Sequence, residues 1–153
     1  MKQEITVKAF FLSILLSMVL SSAMAYLGLY AGMTISASIP AAIMSMGILK
    51  LFRESNILEN NIVQTAASAG ESLAAGVIFT IPALLLIGYW DTINYWEVTK
   101  IAMAGGVLGA LFTVPLRRAL ILKANLRFPE GVATAAVLKT GHESDAKKSS
   151  ESL

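Results

Sequence analysis

Ala9 to Leu49 reads AFFLSILLSMVLSSAMAYLGLYAGMTISASIPAAIMSMGIL, about forty positions without a charged side chain. An α-helix needs only about twenty apolar residues to cross a bilayer. As one straight helix the run would be about 60 Å long, twice a hydrocarbon core of about 30 Å. It must turn back on itself, and Gly28, Gly32 and Pro40 mark where the backbone can break. A chain built this way lives in a membrane.

Composition points the same way. The chain is 56% hydrophobic and 14% charged, whereas charged residues make up about a quarter of a soluble domain. With no cysteine, disulfides, thiolate zinc sites and cysteine nucleophiles are excluded, and the single histidine, His142, has no companion ligands nearby. No metal site and no cofactor are expected. No Ser/His/Asp set or phosphate-binding glycine loop can be assembled, so the chain does not read as an enzyme. A net charge of +2 gives no case for nucleic acid binding.

Working outward, the expected fold class is all-α: a polytopic membrane helix bundle of about four transmembrane helices over residues 1–138, followed by a disordered polar tail over 139–153. The first span is Ala9 to Leu29. Its Ala23-Met24-Ala25 resembles a signal-peptidase site, but a cleaved signal leads into a polar mature start, and here Tyr26 leads into another uncharged segment. A retained helix is expected. The second span runs from about Thr34 to Phe52, the third from Asn60 to Gly88 with a kink near Pro82, and the fourth from Val98 to Leu122. Tyr89, Trp90, Tyr95 and Trp96 between the last two fit the headgroup level. Lys139 to Leu153 is serine-rich with little apolar surface to bury, hence the expectation of disorder.

Basic residues set the orientation. Lys2, Lys8, Lys50, Arg53, Arg117, Arg118, Lys123 and Arg127 fall at span ends on the N-terminus's side, and Lys100 falls opposite. By the positive-inside rule both termini are cytoplasmic, in a multi-pass protein of the plasma or inner membrane.

Two features within the spans call for partners. Gly105 and Gly109 form a small-xxx-small pair that lets another helix approach closely. In the third span Glu71 lies in an otherwise uncharged segment, where an ionised carboxylate costs about 3 kcal/mol. At 100° per residue Asn60, Gln64, Ser68 and Glu71 fall within about 80° of arc, with Asn61 and Ser72 at one margin. This polar stripe faces either a substrate or proton pathway or a set of interhelical hydrogen bonds around a protonated Glu71. The Phe128-Pro129-Glu130-Gly131 stretch reads as a helix-breaking bend, since proline biases Phe128 toward an extended backbone. Glu130 is there either a solvated turn residue or a carboxylate of a site.

Three blocks carry a family resemblance: Tyr26 to Ala42 (YLGLYAGMTISASIPAA), Asn60 to Ser72 (NNIVQTAASAGES) and Arg127 to Ala135 (RFPEGVATA). Together, over about Ile5 to Leu138, they resemble a prokaryotic member of the oligopeptide transporter (OPT) family, related to the yellow stripe-like metal-chelate transporters. The resemblance implies a multi-pass importer of small peptides or metal chelates, coupled to proton entry, in which the segment around Glu130 belongs to the transport core. It covers only the family's N-terminal portion, since a typical member continues through many more helices. A split gene, an expression fragment or a decayed remnant would each account for this. The partners expected are the lipid bilayer, a small peptide or metal-chelate substrate, and either self-association or a complementary C-terminal half. The alternative function is a membrane-embedded assembly or scaffold protein that packs through Gly105 and Gly109 without moving solute.

Overall fold

The structure is a computed structural model that describes the backbone of residues 5–51, 56–124 and 126–151, with side chains as far as residue 143. Its elements are α1 (Val7–Ala31), α2 (Ser38–Leu49), α3 (Ile57–Leu86), α4 (Tyr95–Leu116), a π-helical stretch (Arg117–Lys123) and α5 (Pro129–Glu151). No strand occurs among the described residues. Three helical segments there are long and apolar enough to cross a bilayer, Val7–Ala31, Ile57–Leu86 and Tyr95–Lys123. The chain is therefore an all-α membrane helix bundle.

Local chemistry sets the helix ends. Thr6 caps α1, its hydroxyl accepting from the Ala9 N–H at 3.2 Å. At the other end Gly32 takes a left-handed φ of 69° and donates to the Gly28 carbonyl, which only a glycine does cheaply. At the start of α3 the Glu59 carboxylate accepts from the Asn56 N–H at 3.2 Å, half of a capping box. The Asn94 side chain accepts from the Trp96 N–H to begin α4. Pro115 removes a backbone donor inside α4, and the π-helical stretch follows two residues later.

The second expected span differs from its reading. Helix α2 has only 12 residues, about 18 Å, and Met33 to Ala37 ahead of it are not helical. Pro40 is the reason. Its ring is accommodated most easily in a first turn, and the helix starts at Ser38, two residues before it. Five non-helical residues reach at most about 17 Å, so the return crossing is part irregular chain and part short helix. Gly28, expected in a turn with Gly32, instead lies inside α1. Phe52, Arg53 and Lys2 lie outside the described residues.

Contacts fix the helix directions. A Cβ added at Gly70 would run into Ser17 Oγ, and one at Gly28 into Ile78 Cδ1, so α1 and α3 run parallel in close approach. Helix α2 runs antiparallel to α3, with Ser38 beside Ser68 and Ser45 beside Asn60. Helix α4 runs back along α3 with Gly106 against Leu73. The core lies among α1, α2 and α3 and is built from residues such as Leu16, Leu20, Ala41, Leu49, Val63 and Ala67.

The segment read as a disordered tail is helical: α5 runs through it to Glu151. The helix is already nucleated at Pro129 and held to α2, where a Cβ at Gly141 would press on the Met46 sulfur. Continuing an existing helix through Lys, Ala and Glu costs far less than starting one.

Candidate functional site

The irregular stretch before α2 is where the site forms. Open backbone at membrane depth needs protein or water beside it, and here it borders a cavity of about 1130 Å³. Small-ligand sites commonly occupy about 300–1,000 Å³. One wall is the polar stripe of α3, with Asn61, Gln64, Ser68 and Glu71; the facing wall is the start of α5, with Glu130 and Thr134. Arg127 and Lys139 bring positive charge to the same space.

Glu71 is 5% exposed, and among the described residues no hydrogen-bond donor or cation pairs with it. Its carboxylate opens onto the cavity, which spares it the full cost of an unpaired buried charge. Glu59, the other buried carboxylate of α3, is committed to the helix start.

On the opposite wall the Ser36 hydroxyl contacts the Glu130 carboxylate. Ser36 Oγ lies 3.1 Å from Ser38 Oγ, which lies 3.0 Å from Ser68 Oγ on α3. The hydroxyls of Ser36 and then Ser38 hold Glu130, which lies outside the three candidate spans, below the usual carboxylate range. Pro129 is the first residue of α5, so Phe128 and Pro129 form a bend that brings the exposed Glu130 beside Ser36. Pro129 lacks only an N–H that a helix start cannot use.

The residues singled out from sequence divide as follows. Asn61, Gln64, Ser68, Glu71 and Glu130 line one cavity. Asn60 does not. It is buried toward α2, where its carbonyl accepts from Ser45 and its side-chain oxygen has no partner. Gly105 and Gly109 are remote from the cavity, and a Cβ at either would meet nothing within 4 Å. Sequence reasoning missed Ser36, Ser38, Arg127 and Thr134. The signal available was the crowding of hydroxyls before Pro40, where a helix cannot pass.

Comparisons with known proteins identify the family. The profile of the family described as "OPT oligopeptide transporter protein" matches residues 4–152. A Haemophilus influenzae protein named "Putative oligopeptide transporter" is 53% identical over 112 residues, covering 73% of this chain. The chain spans only 18% of the length of that relative. No solved structure matches the chain. The match over nearly the whole sequence places this chain in the OPT oligopeptide transporter family.

Proposed function

We propose that the chain forms one side of the solute pathway of a membrane importer for small oligopeptides or metal chelates, coupled to proton entry. Further helices, or a second copy, complete the pathway. The observation that carries this reading is Glu71, only 5% exposed on an apolar helix and opening onto a cavity lined also by Asn61, Gln64 and Ser68. A discontinuous crossing beside that cavity is the kind of backbone that secondary transporters use at their midplane sites. Glu71 is the proposed coupling residue; Gln64, Asn61 and Ser68 are the uncharged groups that orient solute, and Asn60 supports them from behind.

The test joins this chain to the helices that follow in its longer relatives and reconstitutes the product in proteoliposomes. Trialanine and a zinc–histidine chelate are offered separately, and internal pH is recorded. Solute-dependent acidification is expected, with Glu71→Gln lowering it at least tenfold. Equal proton entry in the two proteins would exclude Glu71 from coupling.

Both termini are proposed to be cytoplasmic in the cell membrane, on the eight basic residues that share one side. The alternating directions of α1, the α2 crossing, α3 and α4 support this. Reporters fused after Leu51, Asp91 and Lys139 should read inside, outside and inside. A cytoplasmic signal at Asp91 would overturn the arrangement.

A scaffold role remains the second reading, favoured by α4, which has no buried residue in this chain. A scaffold would tolerate Glu71→Gln without any change in solute movement.

A further inference from the structure

Three hydroxyls stand in a row beside Glu130, and their hydrogens can be assigned. The contacts are Glu130 with Ser36, Ser36 with Ser38, and Ser38 with Ser68. Each hydroxyl has one hydrogen to give. An ionised carboxylate only accepts, so Ser36 must donate to Glu130. The Ser36–Ser38 contact is then filled by the Ser38 hydrogen, and the Ser38–Ser68 contact by the Ser68 hydrogen. The Ser38 backbone N–H also approaches Ser36 Oγ, at 3.4 Å, which agrees with Ser36 acting as acceptor on that side.

The charge on Glu130 therefore sets the direction of every hydroxyl in the row. A protonated Glu130 donates to Ser36 instead, and the row can reverse. At its far end Ser68 shares a helix face and the cavity with Glu71, one turn along α3, with Cβ atoms about 5–6 Å apart for such a pair.

We propose that Ser36, Ser38 and Ser68 form a proton relay between Glu71 and Glu130. Glu71 and Ser68 are not hydrogen-bonded in this structure, so the relay begins when the Glu71 side chain turns onto Ser68; with Glu71 protonated and Glu130 ionised, its proton then passes to Ser68, the Ser68 hydrogen to Ser38, the Ser38 hydrogen to Ser36, and the Ser36 hydrogen to Glu130. Each O–H bond that breaks is matched by one that forms, and no hydroxyl is left charged. Two links of the row belong to the irregular stretch and first turn of the α2 crossing, so movement of that segment makes or breaks the connection. The other charged groups on this cavity are Arg127 and Lys139. Glu59 is engaged at the start of α3.

This inference rests on the cavity being the solute pathway, and the test separates the two ideas. In the joined transporter, trialanine uptake, trialanine binding and proton entry are measured for the wild type, Ser38→Ala and Ser38→Thr. Infrared titration follows the carboxyl bands of the same proteins, assigned with Glu71→Gln and Glu130→Gln. Ser38→Ala should keep trialanine binding, cut proton entry per trialanine at least tenfold, and make the Glu130 band insensitive to Glu71→Gln. Ser38→Thr, which keeps a hydroxyl, should restore proton entry to within twofold. An unchanged proton ratio in Ser38→Ala overturns the relay, and so does trialanine uptake by the wild type without proton entry. If no trialanine moves, the transport reading fails and the infrared coupling alone decides the relay.

Discussion

Helices α1 and α4 are both long, apolar and laid against α3, yet α1 buries seven of its residues and α4 buries none. Hydrophobicity does not separate them. In a bilayer, lipid tails satisfy apolar surface as well as another helix does, so association depends on close packing and polar contacts. Helix α1 presents Ser13, Ser17, Ser21 and Gly28 to the Gly70 side of α3, and the two backbones come close together. Helix α4 meets α3 chiefly through Gly106 and Leu73. Small residues opposite small residues decide which pairs form within the chain.

The largest way to break this contrast is Gly70→Leu. Its side chain would enter space held by Ser17, at an expected cost of about 3 kcal/mol. With Ser13→Cys and Ile62→Cys introduced across the same crevice, disulfide cross-linking of α1 to α3 should be lost. A cross-link of undiminished yield would show that α1 is held by something other than close approach.

A smaller effect sharpens the other side of the comparison. Gly105→Leu with Gly109→Leu should change the stability of the chain by less than about 0.5 kcal/mol, because neither glycine has a neighbour there. The same pair of changes should abolish association with further helices or a second copy. Thermal unfolding in detergent and light scattering read the two quantities. Marked destabilisation of the isolated chain would mean that the glycine face is already engaged.

Much of the fold was legible because charge-free length is a strong signal. Asn60 to Gly88 and Val98 to Leu122 were placed within a few residues of α3 and the α4–π segment, and the stripe of α3 was readable because helical period alone puts Gln64, Ser68 and Glu71 on one face. The interrupted crossing was not legible as such. Thr34 to Phe52 has the apolar length of a span, and only Pro40 hints that its first residues stay open. The helical nature of α5 beyond Lys139 was hidden for another reason. Composition there describes a segment in isolation, whereas its helix is inherited from Pro129 and steadied by Met46. Glu130 could be nominated from its bend, but nothing local pointed to Ser36, 94 positions earlier.

Helices α2 and α5 begin at nearly the same point, each with a proline in its first turn, and run in the same direction from Ser36–Glu130 to Met46–Gly141. Each helix start carries roughly half a positive elementary charge from its aligned peptide dipoles. Two such ends side by side amount to about one unit, and the Glu130 carboxylate lies beside them. The backbone thus offsets part of its negative charge, alongside Arg127 and Lys139 on the same cavity. Glu130 itself stays exposed, so the two helix ends act on a carboxylate that still faces open space. Replacing Glu130 with a neutral residue would leave both helix ends uncompensated, a folding cost separate from any part the carboxylate plays in moving solute.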